Sequence, residues 1–99
     1  MYTHLVLWKL KDAADGMNKQ DLASVVKQKL DSLPAQISEI VQYDVGINIG
    51  NYGTQFFDLG LISTFANEDD FKRYCVNPKH DDVVAYIQSV TVDEQIVDF

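Results

Sequence analysis

Hydrophobic and polar positions alternate with a period of two over residues 2–10, with Tyr2, His4, Val6 and Trp8 on one side and Thr3, Leu5, Leu7 and Lys9 on the other. That period, with its aromatic and β-branched content, predicts a strand whose two faces are both largely apolar. Beyond Gly16 the spacing changes. Asn18 offers a side-chain oxygen to cap a helix, Asp21 falls in the first turn, and Leu22, Val25, Val26, Leu30 and Leu33 form one stripe. Pro34 stops that helix at about Ser32, because the residue before a proline avoids helical backbone angles. A second strand is predicted from about Ile37 to Ile49, with Val41, Tyr43, Val45, Ile47 and Ile49 opposite Gln42, Asp44, Gly46 and Asn48. Its length implies a bulge near Gly46. Gly50-Asn51-Tyr52-Gly53 is turn chemistry, and Phe56 to Phe65 is a third strand paired back onto the second. Asn67 then caps a short helix with Phe71, Tyr74 and Cys75 inward, and Asn77-Pro78 interrupts it. His80-Asp81-Asp82 opens a further helical piece with Val83, Val84 and Ile87 inward, before a last strand from about Thr91 to Phe99.

The order β-α-β-β-α-β describes one α+β domain over residues 1–99, a ferredoxin-like four-stranded antiparallel sheet with its helices on one face. The other face would carry Leu5, Leu7, Phe56 and Ile62. That is too much apolar surface for a chain of 99 residues to leave in water. A second copy packed sheet to sheet about a twofold axis is the simplest cover, so a homodimer through the open sheet face is expected.

Charge and composition narrow the partners. Fifteen acids against eight bases give a net charge of −7, and the bases are scattered among the acids. Neither nucleic acid nor an anionic membrane surface is an expected partner. No run of apolar residues is long enough for a transmembrane helix, and Met1-Tyr2-Thr3-His4 lacks the basic flank of a secretory signal. The single cysteine, Cys75, cannot close an intrachain disulfide, which fits a reducing, cytoplasmic setting. Gly46, Gly50, Gly53 and Gly60 match neither a P-loop nor a dinucleotide fingerprint, so no cofactor is expected. Asp58, Asp81 and Asp82 beside His80 lack the spacing of a dedicated metal site, and no metal is expected.

Several segments, in order and spacing, resemble one family. They are His4-Leu5-Val6-Leu7-Trp8-Lys9-Leu10, Val45-Gly46-Ile47-Asn48, Phe57-Asp58-Leu59 with Thr64-Phe65, Tyr74, Asn77-Pro78-Lys79-His80 and Val97-Asp98-Phe99. Together they resemble the stress-responsive dimeric α/β-barrel (Dabb) family over essentially the whole chain. The resemblance implies a homodimer in which two ferredoxin-like units share a barrel. One branch of that family includes a polyketide cyclase, with a histidine on the first strand, another after the proline segment and a tyrosine between them around a cavity. Carried over by position, these are His4, His80 and Tyr74. Asn77 stands where the family's segment His-Pro-x-His begins with histidine, and residues 18–33 contain no counterpart of the cyclase's tyrosine on the first helix.

The candidate site is thus His80 as a general base, Tyr74 as a hydrogen-bond donor to a developing enolate oxygen, and His4 orienting the pair. The surrounding pocket is expected to draw on Val6, Trp8, Val26, Leu30, Leu59 and Phe71. Each polar candidate has a plainer alternative: His80 as a helix cap, His4 as a satisfied core residue, Tyr74 as a core ring with its hydroxyl at the rim. Three functions follow. The leading one is a homodimer that binds a small apolar or aromatic molecule between helices and sheet. The second is a cyclase- or lyase-like enzyme using the His/Tyr group for proton transfer. The third is a stress-associated dimer without a ligand.

Overall fold

The structure is a computed structural model and describes residues 1–53 and 55–99. Its elements are strand β1 (Tyr2–Leu10), a short hairpin of β2 (Ala13–Ala14) and β3 (Met17–Asn18), helix α1 (Lys19–Asp31), strands β4 (Ile40–Ile47) and β5 (Leu59–Phe65), helices α2 (Glu68–Val76) and α3 (Pro78–Val90), and strand β6 (Thr91–Asp98). The main sheet is antiparallel in the order β4-β5-β1-β6, the ferredoxin-like arrangement.

Local chemistry fixes the helix ends. Asn18 accepts from the Asp21 amide at 2.9 Å and Asn67 from the Asp70 amide at 2.8 Å, each satisfying an amide that the first turn leaves without a helical partner. Asn77 serves α3 in the same way, accepting from Lys79 at 2.9 Å with Pro78 in the first turn. Asp15 and Gly16 both adopt positive φ, +53° and +76°, which turns β2 into β3 as an Asp-Gly hairpin does. This hairpin is not among the elements predicted from the sequence.

The second and third strands are shorter than their sequence pattern. Ile37 is buried in a turn that follows α1, its amide bonded to the Leu33 carbonyl at 3.0 Å, so pairing starts only at Ile40. Phe56 precedes β5, which starts only after Asp58, a residue whose backbone is still bonded to the neighbouring strand. Its amide donates to the Trp8 carbonyl at 2.8 Å, and its carboxylate accepts from the Leu10 amide at 2.8 Å. The bulge lies at Val41 and not near Gly46. Ile40 pairs with Phe65 and Gln42 with Thr64, whereas Gly46 pairs regularly with Gly60. Inserting Val41 reverses the alternation, so Ile40, Tyr43 and Val45 all pack toward the core while Val41 is turned out.

The core lies between the sheet and its helices. Val6, Trp8 and Leu10 of β1 and Leu59, Leu61 and Phe65 of β5 meet Leu22, Val26 and Leu30 of α1 and Val83, Ile87 and Val90 of α3, all buried. The opposite face holds Leu5, Leu7, Ile62 and Val97, since Leu5 pairs with both Ile62 and Val97. Leu7 is 37% exposed, Ile62 46% and Val97 57%. At Gly46 and Gly60 the sheet has no side chains, which leaves a trough of about 370 Å³ rimmed by Leu5, Leu7 and Ile62.

Candidate functional site

A cavity of about 180 Å³ lies between the sheet and helices α2 and α3. Its sheet wall comes from β1, with His4, Val6 and Trp8 projecting from alternate positions on the helix-facing side. Leu30 of α1 and Val84 and Ile87 of α3 line the apolar remainder. Tyr74 and His80 bring polar atoms in from α2 and α3, and Glu94 and Ile96 of the edge strand β6 border it with Gln88.

The structure therefore brings His4, Tyr74 and His80 to one cavity, with Val6, Trp8 and Leu30 beside them. Val26, Leu59 and Phe71, expected in the same wall, are placed elsewhere. Val26 and Leu59 are buried in the core and do not line the cavity, although Leu59 pairs with its wall residue Trp8. Phe71 packs behind the site, its ring 4.8 Å from His4 and 4.6 Å from Tyr2, and so holds the His4 ring from outside. Trp8 forms a wall and leaves the cavity open.

Each polar group is held by a partner that sequence spacing did not reveal. His4 Nδ1 is hydrogen-bonded to Asp98 on the neighbouring strand, where the two residues pair directly. Tyr2 Oη donates to the other oxygen of Asp98 at 2.7 Å. Partial burial works against the Asp98 charge, but the bonds from Tyr2 and His4 outweigh it and hold the carboxyl below the usual range. The same carboxylate, bonded by the Tyr2 phenol, raises Tyr2 to about 12.

His80 does not cap α3, since Asn77 fills that role. Its Nδ1 lies 3.3 Å from the Cys75 carbonyl, a group that only accepts, so Nδ1 carries the proton and Nε2 keeps a lone pair. Burial lowers the His80 pKa from its ordinary value of 6.5, which keeps the ring neutral. Its ring centre is 4.2 Å from that of Tyr74. Tyr74 is almost fully buried, and its hydroxyl meets that of Tyr43, from β4, at 2.7 Å. Burial raises both phenols, Tyr43 to about 12 and Tyr74 further, so both stay protonated at neutral pH. Cys75 is also raised by burial and remains a thiol.

Tyr43, Asp98 and Glu94 were missed as site residues. Tyr43 was legible only as a strand position, and its inward turn depends on the bulge at Val41. Asp98 and Glu94 reach the site through the pairing of the last strand with the first. Asp58 lies apart from His80, bonded to Leu10 and 3.5 Å from Lys19. Among the described residues no three His, Cys, Asp or Glu side chains group as metal ligands, and no helix is long and apolar enough to cross a membrane.

Chemically, the arrangement is a small apolar chamber holding one neutral imidazole with a free lone pair, one neutral phenol, and a second imidazole fixed by a carboxylate. It can accept a proton at His80 Nε2 and offer hydrogen bonds to a carbonyl or hydroxyl.

Comparison with solved structures gives close matches in fold. A dimeric protein of unknown function with a ferredoxin-like fold from Bacteroides fragilis is 31% identical, with 99% of this chain and 93% of that one covered and a TM-score of 0.85. A dimeric ferredoxin-like protein of unknown function from Thermobifida fusca is 26% identical, with 99% and 88% covered and a TM-score of 0.85. The hydroxynitrile lyase of Passiflora edulis, at 14% identity, shares the fold with 99% and 90% covered and a TM-score of 0.82. None of the proteins of curated function matches the chain. The family model described as the stress responsive A/B barrel domain matches residues 2–99, and the chain belongs to that family.

Proposed function

We propose that this protein is a cytoplasmic homodimer that binds a small, largely apolar ring compound in the cavity between its helices and sheet. The observation that carries the binding reading is the convergence of His4, Tyr74 and His80 on one apolar chamber, with the His80 Nδ1 proton directed to the Cys75 carbonyl and no partner for Nε2 among the described residues. The volume bounds the ligand. At about 180 Å³ the chamber is slightly larger than the roughly 150 Å³ cavities that hold benzene. It therefore suits one ring with one or two small substituents.

The dimer reading rests on the open face. Leu5, Leu7, Ile62 and Val97 form a contiguous apolar surface around the trough over Gly46 and Gly60, and related chains from Bacteroides fragilis and Thermobifida fusca are described as dimeric. A free Cys75 agrees with a reducing compartment.

A second reading, proton-transfer catalysis on a carbonyl compound, is favoured by the His80 tautomer. Nε2 would take a proton adjacent to the carbonyl while the Tyr74 hydroxyl, kept protonated by burial, hydrogen-bonds the developing oxyanion. Asp98 would hold the His4 ring in orientation throughout.

The test is a screen of single-ring carbonyl and phenolic compounds by protein-observed NMR, followed by His80→Gln. Shifts at Tyr74, His80 and Trp8 on adding a compound support the binding reading. Loss of turnover with affinity retained in His80→Gln marks an enzyme, whereas no shift at these residues with any compound rejects the cavity as a binding site.

A further inference from the structure

The mouth of the cavity is formed by side chains that the apolar interior does not need. Glu94 belongs to edge strand β6 and pairs with Trp8, so the two share the helix-facing side of the sheet. It is the only carboxylate among the residues lining the cavity, and no ion-pair or hydrogen-bond partner lies within reach of it among the described residues. Asp98, bonded to the cavity residue His4, is also occupied by Tyr2. Among the described residues no lysine or arginine lines the cavity to offset Glu94, and the remaining titratable rings are the two imidazoles and the Tyr74 phenol.

We infer that Glu94 makes this cavity select by charge, admitting neutral and cationic single-ring compounds and rejecting carboxylates. The inference rests on the reading of the cavity as a binding site and names the ligand class it takes. Two effects act in the same direction. Moving a carboxylate into the apolar interior costs solvation whatever residue stands at position 94. In addition, a ligand carboxylate about 6 Å from Glu94, at an effective dielectric between about 40 and 80, is disfavoured roughly three- to tenfold. Only the second effect disappears when Glu94 loses its charge, and only the second is screened by salt.

Benzoate, benzamide and benzamidine have nearly the same shape and carry charges of opposite sign around the neutral member, which makes them suitable probes. Their affinities are measured by NMR titration at low ionic strength for the wild type, Glu94→Gln and Asp15→Asn. Asp15 is the control: it is exposed in the turn between β2 and β3 and does not line the cavity, and Asp15→Asn removes the same unit of charge. In the wild type benzoate binds weakest of the three, because desolvation and repulsion both act against it, whereas for benzamidine desolvation is offset by the attraction of Glu94. Glu94→Gln tightens benzoate about three- to tenfold and weakens benzamidine by a similar factor, while benzamide changes less than about twofold. Asp15→Asn leaves the series as it is in the wild type. Unchanged benzoate affinity in Glu94→Gln, with benzamide still bound, overturns the charge selection and leaves the binding reading standing. An equal response to Asp15→Asn also overturns it, because net charge and not position would then be responsible. Absence of binding by all three probes overturns the binding reading and this inference together.

Discussion

Replacing the Tyr43–Tyr74 hydroxyl pair one oxygen at a time gives a quantitative test of the site's geometry. The hydroxyls are 2.7 Å apart and the rings meet edge-on at 6.1 Å, so a phenylalanine at either position keeps the ring contact and removes only the bond. A net hydrogen bond contributes about 1 kcal/mol, and a buried hydroxyl left without a partner costs about 1–3 kcal/mol. Tyr74 is the more deeply buried of the two, at 1% exposure. Tyr43→Phe, which orphans the Tyr74 hydroxyl, should therefore destabilise by about 2 kcal/mol, and Tyr74→Phe, which orphans the shallower one, by about 1 kcal/mol. The double variant should fall short of the sum by at least about 1 kcal/mol, because no orphan remains in it. Urea unfolding at one fixed protein concentration measures all four states of the cycle. Additivity within about 0.3 kcal/mol would refute the bond and with it the account of how Tyr74 is held. The same pair sets an alkaline limit. Burial keeps the Tyr43 proton in the folded state up to about pH 12, whereas the unfolded chain loses it near 10. Stability from this group is intact below about pH 10 and declines as pH rises toward 12, and Tyr43→Phe should flatten that decline.

Ile62→Lys should break the dimer. Ile62 is 46% exposed in the single chain, so covering it contributes about 1 kcal/mol per copy, twice over by symmetry, and a lysine there adds an unpaired charge facing its own copy. Sedimentation should show the 11.2 kDa chain in place of a particle of twice that mass, and an unchanged larger particle contradicts the proposed interface. His80 should titrate below 6.5 when followed by NMR, and stability should be full above pH 6.5 and fall as pH drops through that value, where the unfolded chain takes up a proton that the folded one does not. The fall should vanish in His80→Gln; a midpoint above 6.5 would contradict the burial of the ring. Asn77→Ala removes the cap on α3 and should cost about 1 kcal/mol in urea unfolding. A loss below about 0.3 kcal/mol would mean that the Lys79 amide is satisfied by another group.

The chain's own periodicities determined most of the fold. Residues 2–10 alternate with a period of two, Leu22 to Leu33 recur at helical spacing, and Asn18, Asn67 and Asn77-Pro78 mark helix starts, because these signals depend on neighbours within one turn or one strand step. The apolar character of both faces of β1 was equally legible, since alternation alone assigns Leu5 and Leu7 to one side and Val6 and Trp8 to the other. Tertiary structure decided what depends on register. The bulge at Val41 turns Tyr43 toward Tyr74, and the pairing of β6 with β1 sets Asp98 beside His4 and Glu94 beside Trp8. The fate of His80 was decided the same way. Asn77 took the cap, which freed the imidazole to donate to the Cys75 carbonyl and to face the cavity. A shift of one residue in either ladder would send these side chains to the opposite face, and no local pattern records which register a strand will take.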